Sequence, residues 1–131
     1  MKENTKIAVI GLGGVAQLVH LPILSKINSV DIVAVSELNK TRLRTVAEKF
    51  NIKERFTDFQ EMIGKVEFDA AIISTPTNTH KDIAVELLNK GKHVLIEKPI
   101  ALNFGEAKEI DDAAKKNKKN AISGTPRTMA I

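Results

Sequence analysis

The sequence predicts an α/β protein in which helices cover both faces of a mainly parallel sheet. Short runs of β-branched and other apolar residues alternate along the chain with segments whose apolar residues recur every three or four positions. The apolar runs lack polar alternation, which is typical of strands that are buried on both faces. Strands that alternate with helical crossovers form a doubly wound fold.

The strands and helices are predicted in strict alternation, without an internal repeat or an interdomain linker. The predicted strands are residues 6–10, 31–35, 55–56, 69–74, 93–97 and 121–123. The predicted helices are residues 14–27, 39–50, one or two turns after residue 58, 79–89 and 103–117. Asn39 and Asp58 have the side chains of N-caps, Gly91 is a C-cap, and Pro22 is expected to kink or end the first helix. We therefore expect residues 1–131 to form one domain.

The composition is that of an ordinary globular protein and excludes several classes of function. The chain of 131 residues is 43% hydrophobic and 27% charged, with 4% aromatic residues and neither Trp nor Tyr. So few aromatic residues argue against a surface that stacks on bases. The absence of Cys excludes a disulfide framework and a thiolate metal site, and three histidines without grouped carboxylates do not predict a metal centre. We expect a cytoplasmic protein.

The formal net charge of +4 does not indicate a nucleic-acid-binding protein. Much of the excess lies at the end of the last predicted helix, where cations complement the helix dipole, in Lys115, Lys116, Lys118 and Lys119. The first apolar run is short and is interrupted by glycines, so it predicts neither a signal peptide nor a membrane span. Nucleic acid and membrane are therefore not expected partners.

A glycine-rich turn between the first strand and the first helix predicts a Rossmann dinucleotide-binding unit. Its sequence, Gly11-Leu12-Gly13-Gly14-Val15-Ala16, has the pattern G-x-G-x-x-A. Gly11 permits the tight turn, Gly13 lets the backbone approach a pyrophosphate, and the small Ala16 lets the helix pack close to the strand. The free N–H groups and the positive dipole end of the helix then receive the phosphates. The alternative is an ordinary glycine-rich turn.

Glu37 closes the second predicted strand about twenty residues after this turn, where an acidic side chain accepts hydrogen bonds from the adenosine ribose hydroxyls. A 2′-phosphate would lie close to this carboxylate, so the sequence predicts NAD in preference to NADP. Lys40, Arg42 and Arg44 would soften the repulsion, which keeps the use of NADP open. The alternative is that Glu37 begins a polar loop.

Two further polar segments follow predicted strands, and ligands of open α/β sheets bind beyond such strand ends. They are Ser74-Thr75-Pro76-Thr77-Asn78 and Glu97-Lys98-Pro99, and we expect them to converge on one cleft. Lys98 stands beside a carboxylate, where an ammonium group could orient a substrate hydroxyl or stabilise a developing alkoxide. The alternative is a surface ion pair between Glu97 and Lys98.

Residues 11–20, 74–80 and 91–99 together resemble the glucose-fructose oxidoreductase, inositol dehydrogenase and rhizopine catabolism (Gfo/Idh/MocA) family over almost the whole chain. The resemblance implies that Glu97 contacts the nicotinamide ribose and that Lys98 is the catalytic or substrate-orienting lysine. It also implies that the bond before Pro99 is cis. The residues that would line the cofactor are Thr75, Pro76, Asn78 and His80. Taken alone, His80 equally fits a structural cap, and His20 and His93 fit structural roles.

The resemblance implies an NAD(P)-dependent oxidoreductase that transfers hydride between nicotinamide and a secondary hydroxyl of a sugar, cyclitol or polyol. Members of this family continue into a second α/β domain that covers the cleft, and this sequence ends at Ile131. Pro126 and the residues after Arg127 depart from the family pattern, so a substrate contact by Arg127 is not predicted. The alternative is a stand-alone module that binds or senses NAD(H). A chain without the second domain would expose apolar surface meant for that domain, so we expect self-association or a partner chain.

Overall fold

The fold is seen in a computed structural model, which describes residues 3–123. The strands belong to a six-stranded sheet, and within each half of the chain they pair in parallel, which confirms the predicted fold class. The chain divides into two compact units, Met1–Asp69 and Ala70–Ile131. Each unit is described separately below.

The first unit contains three strands in the order β3-β2-β1. Its strands are β1 (Thr5–Ile10), β2 (Val30–Ser36) and β3 (Arg55–Phe56), and its α-helices are α1 (Leu21–Ser25), α2 (Lys40–Lys49) and α3 (Phe59–Lys65). Ala8, Val9 and Ile10 are all buried, although successive side chains of a strand point to opposite faces. Both faces of β1 are therefore covered, as the uninterrupted apolar run predicts.

The first helical segment departs from the sequence prediction in one respect. Residues Ala16–His20 form a π-helical stretch that runs directly into α1, and the N–H of Leu21 bonds the carbonyl of Ala16, five residues earlier. Pro22 follows, and a proline within a helix offers no N–H to the preceding turn. The helix therefore continues past Pro22 and is locally widened just before it, a feature that is common at functional sites.

The second unit contains strands in the order β4-β5-β6. Its strands are β4 (Ala70–Ile73), β5 (His93–Ile96) and β6 (Ala121–Ser123), and its α-helices are α4 (His80–Asn89) and α5 (Phe104–Asn117). A single 3₁₀ turn, Thr77–Thr79, leads into α4. The helices contribute Leu87, Leu88 and Ile110 to the core, and all three side chains are fully buried.

The helix ends follow the capping signals in the sequence. The side chains of Asn39, Asp58 and Asn103 accept hydrogen bonds from backbone N–H groups in the first turns of α2, α3 and α5. Each satisfies a donor that has no partner within its helix. Gly91 follows α4 with φ +83°, a left-handed conformation that favours glycine.

Two classes of feature are absent from residues 3–123. No helix in this range has the length and apolar character that a membrane crossing requires. The same residues contain no group of three or more His, Cys, Asp or Glu side chains that could hold a metal ion.

Candidate functional site

The glycine-rich turn of the first unit leaves β1 through Gly11, which has φ +91° and donates its N–H to the Ser36 carbonyl over 2.8 Å. That φ lies in the region that side chains disfavour, so the turn itself requires glycine at this position. Leu12 and Ala16 are fully buried. The turn is therefore packed into the first unit on one side and begins the helical segment on the other.

The fold itself does not require glycine at positions 13 and 14. Neither has a φ in the left-handed region, and a Cβ built on either would meet no atom within 4 Å. The conformation and packing of the chain would thus accept alanine at both positions. Open space beside a glycine at the start of a helix is what the close approach of a phosphate requires. Val15, the next residue, is 45% exposed.

Glu37 uses both of its carboxylate oxygens within the first unit, although its side chain is only 9% exposed. Oε1 accepts a hydrogen bond from the N–H of Leu12 over 2.8 Å. Oε2 accepts one from the N–H of Asn39 over 2.9 Å and lies 3.5 Å from Nη1 of Arg42. The carboxylate that the sequence assigns to a ribose therefore also ties the glycine turn to the start of α2.

Two residues at this turn were not singled out as site residues by the sequence. Arg42, 47% exposed, carries the guanidinium that pairs with Glu37, and its place in the first turn of α2 follows from the Asn39 cap. Gln17 donates from Nε2 to the Leu12 carbonyl over 2.8 Å. The position of Arg42 could be inferred from the predicted cap, whereas no pattern in the sequence distinguishes Gln17.

In the second unit, the ends of β4 and β5 bring the two polar segments together, as the sequence predicts. The N–H of Glu97 donates to the Ile73 carbonyl over 3.0 Å, so the segments after these strands start side by side. Ser74, Thr75 and Glu97 are half-buried, while Pro76 and Asn78 are exposed. Lys98 is exposed, and the Lys98–Pro99 bond is cis, as the resemblance implies.

His80, the first residue of α4, lies between these two segments and is 1% exposed. Its Nε2 is 2.7 Å from the Thr75 carbonyl oxygen. Its Nδ1 is 3.1 Å from the Pro99 carbonyl oxygen and 3.2 Å from that of Ile100. The polar atoms of the ring are thus engaged with the backbone of the second unit.

The two units carry complementary chemistry. The first presents the N-terminus of a helical segment beside glycines with open space, which suits a pyrophosphate. The second presents an ammonium group and a carboxylate in consecutive residues after a strand, Glu97 and Lys98, which suits the orientation of hydroxyl groups.

The sequence matches the family model GFO_IDH_MocA, described as an oxidoreductase family with an NAD-binding Rossmann fold, over residues 5–125. The myo-inositol 2-dehydrogenase of Thermotoga maritima is 32% identical to the chain over 111 residues, which are 85% of this chain and 33% of that protein. The NADP(+)-dependent scyllo-inositol 2-dehydrogenase of Bacillus subtilis is 38% identical over 112 residues, 86% of this chain and 34% of that protein.

A solved structure shows the same fold with ligands bound. The scyllo-inositol dehydrogenase from Lactobacillus casei, with bound NAD(H) and scyllo-inositol, superposes with a TM-score of 0.86 and 26% identity, covering 93% of this chain and 36% of that protein. The chain therefore spans about a third of the length of the relatives that it matches.

Because both carboxylate oxygens of Glu37 accept backbone hydrogen bonds, Glu37→Gln should lower the stability of the chain. One oxygen of the carboxylate would become an NH₂ group that faces either the buried N–H of Leu12 or the exposed N–H of Asn39, so one backbone donor loses its charged acceptor. We expect the free energy of unfolding to fall by about 1 to 3 kcal/mol, measured by urea denaturation. Glu48→Gln is the matched control, because Glu48 is 62% exposed and lies 3.8 Å from Arg55. It should change stability by less than about 0.5 kcal/mol, and equal losses in the two variants would contradict this role of Glu37.

Proposed function

The chain belongs to the Gfo/Idh/MocA oxidoreductase family, which has an NAD-binding Rossmann fold, and from this premise we propose that residues 1–131 are the cofactor-binding domain of a dehydrogenase. The enzyme transfers hydride between nicotinamide and a secondary hydroxyl of a sugar, cyclitol or polyol. The single observation that carries the proposal is the open space at Gly13. The fold of the chain does not require glycine at this position, whereas the close approach of a dinucleotide pyrophosphate does require it.

In this proposal the first unit binds the adenosine and pyrophosphate end of NAD. The turn from Gly11 to Ala16, including Leu12, Gly14 and Val15, receives the pyrophosphate on its N–H groups. Glu37 keeps the turn in place through Leu12 and accepts hydrogen bonds from the adenosine ribose through its remaining lone pairs.

The second unit binds the nicotinamide end. Ser74, Thr75, Pro76 and Asn78 line this part of the cofactor, and Glu97 contacts its ribose. NAD, when bound, supplies the acceptor for the hydride that leaves the substrate carbon. The exposed ammonium group of Lys98 orients the substrate hydroxyl and stabilises the negative charge that develops on its oxygen as the hydroxyl proton passes to water.

Cytoplasmic location and association with a second copy or a partner chain are also proposals. The association is supported by large apolar side chains that remain exposed on the first helical segment, among them Leu18 at 79% and Ile23 at 56%. Scattered exposed apolar residues are normal, but several on one short segment are typical of a contact surface.

The first prediction of the proposed function concerns the choice of cofactor. NAD should bind more tightly than NADP, because a 2′-phosphate close to Glu37 is repelled by very roughly 1 to 4 kcal/mol. Arg42 offsets part of this repulsion, so Arg42→Ala should weaken NADP binding further and leave NAD binding unchanged. Calorimetric titration of both cofactors checks this, with Lys53→Ala, at an exposed position away from the turn, as the control for loss of one positive charge. Equal or tighter binding of NADP to the unmodified chain would disprove the preference.

The second prediction tests the phosphate turn. Gly13→Ala should lower the affinity for NADH at least about tenfold, or by about 1.4 kcal/mol, because the new methyl group occupies the space of the pyrophosphate. The free energy of unfolding should not fall, since the methyl group meets no atom of the chain. Gly64→Ala is the matched control, because its Cβ also meets no atom within 4 Å and Gly64 lies on α3. Undiminished NADH binding by Gly13→Ala would remove the main support for the proposal.

The third prediction tests catalysis through Lys98. Lys98→Met should bind NADH within about twofold of the unmodified chain and should lose at least about 100-fold in the rate of NAD reduction, the lower range for removal of a group that stabilises negative charge in the transition state. The assay is NADH formation with a panel of cyclitols and sugars, and Lys90→Met is the control for removal of an exposed lysine. A chain that binds NADH but reduces NAD with no substrate of the panel would instead fit the sensing module.

A further inference from the structure

Gln17, in the first helical segment, bonds back onto the glycine-rich turn with both its side chain and its backbone. Its Nε2 donates to the Leu12 carbonyl oxygen over 2.8 Å. A carbonyl oxygen accepts hydrogen bonds and cannot donate them, so the amide nitrogen of Gln17, and not its amide oxygen, faces Leu12. The backbone N–H of Gln17 donates to the Gly13 carbonyl oxygen over 3.0 Å. Two consecutive carbonyl groups of the turn are therefore directed at one residue.

These two bonds also set the direction of two N–H groups. The peptide bonds after Leu12 and Gly13 are trans, and in a planar trans peptide the N–H points away from the C=O. The N–H groups of Gly13 and Gly14 therefore point in a common direction, away from Gln17. A Cβ built on either glycine would meet no atom within 4 Å, so the space beside both residues is open. Two parallel donors beside open space suit the oxygen atoms of a pyrophosphate.

The backbone alone does not hold the peptide between Leu12 and Gly13. Leu12 precedes the helical residues, which begin at residue 14, and glycine adopts a wide range of φ and ψ. Rotation about ψ of Leu12 and φ of Gly13 would turn this peptide and its N–H without moving the helix. The bond to Glu37 does not prevent the rotation, because it engages the N–H of Leu12, which belongs to the preceding peptide. The side chain of Gln17 supplies this restraint.

We propose that Gln17 is a positioning residue for the pyrophosphate, because its side-chain amide holds the peptide between Leu12 and Gly13 with the Gly13 N–H directed at the phosphate oxygens. The inference rests on the proposed function of the turn. It adds a residue that acts on the cofactor through the backbone and not by direct contact. Glu37 and Gln17 thus restrain two successive peptides, one on each side of Leu12.

No neighbouring side chain on this part of the chain can replace Gln17. Residues 12–19 are otherwise glycine, alanine, valine and leucine, so Gln17 carries the only side-chain hydrogen-bond donor among them. Gln17 is half-buried, whereas Leu18, the next residue, is 79% exposed. Loss of the amide would therefore leave the Leu12 carbonyl oxygen without a side-chain donor from this segment.

The binding of NADH and of ADP-ribose, which keeps the pyrophosphate but lacks nicotinamide, tests the positioning role. Gln17→Met has a side chain of similar length without an N–H group. We expect it to lower both affinities about fivefold, because only a fraction of the molecules then has the peptide correctly oriented. Gln60→Met is the matched control, because it makes the same exchange at an exposed position of α3, outside the turn. Unchanged affinities in Gln17→Met, or a loss for NADH alone, would refute the role.

Amide NMR separates positioning from a general loss of structure. In the unmodified chain saturated with ADP-ribose, we expect the N–H protons of Gly13 and Gly14 to shift downfield as they donate to phosphate. At saturation the shift of Gly13 should be smaller in Gln17→Met. The shift of Gly14 should persist, because its peptide is held by the backbone N–H of residue 17, which the variant retains. Signals are assigned with Gly13→Ala and Gly14→Ala, and an equal shift of Gly13 in both chains would overturn the proposal.

These measurements also separate the inference from the proposed function. If the unmodified chain binds neither NADH nor ADP-ribose, the proposed function fails, and the positioning role, which rests on it, fails as well. If both ligands bind and Gln17→Met binds them equally well, the proposed function stands and only the positioning role fails. Should Gln17→Met not fold, as judged by urea denaturation, Gln17→Ala is the second variant, because alanine favours a helix and also lacks the donor.

Discussion

The hydrogen bond from the N–H of Leu12 to the Glu37 carboxylate is the interaction on which the glycine-rich turn depends. Leu12 is fully buried and lies between the end of β1 and the first helical residue, so its N–H belongs to neither element. Such a donor costs about 1 to 3 kcal/mol if it stays unsatisfied. The parallel register pairs Ile10, the last residue of β1, with Ser36, the last residue of β2. Gly11 and Glu37, which follow the two strands, therefore lie close together. Glu37 is therefore already in place to accept this bond.

The second unit has backbone carbonyl oxygens that need a partner beyond its strand ends, where the first unit has a backbone N–H. The carbonyl oxygens of Thr75, Pro99 and Ile100, which follow β4 and β5, face one ring, that of His80 in the first turn of α4. A carboxylate in one unit and an imidazole in the other thus contact irregular backbone at strand ends.

The sequence predicted the strands well because their apolar runs are short, continuous and bounded by turn residues. The caps at Asn39 and Asp58 were also predicted, since a local side-chain acceptor and a local N–H are enough to define them. The π-helical stretch was not predicted. Proline marks the position of a disturbance in a helix, but whether the helix bends or widens depends on the packing of its neighbours.

The candidate site shows a similar limit. Spacing along the chain placed an acidic residue at the end of β2, but it could not reveal that the carboxylate turns back onto Leu12 and Asn39. Likewise, the pattern around His80 was compatible with a cap or a cofactor contact. Only the three-dimensional arrangement shows three carbonyl oxygens around the ring, because Thr75 lies 24 residues before Pro99 in the sequence.

Residues of a motif differ in how strongly they indicate function, because some are also required by the fold. Gly11 is needed for its φ, and Glu37 is needed by the N–H of Leu12, so a substitution at either position disturbs the turn whether or not a ligand binds. Gly13 and Lys98 are different, since the first faces open space and the second is an exposed side chain. The stability of the chain explains neither position, so these two residues bear most directly on the proposed binding of a dinucleotide and a substrate.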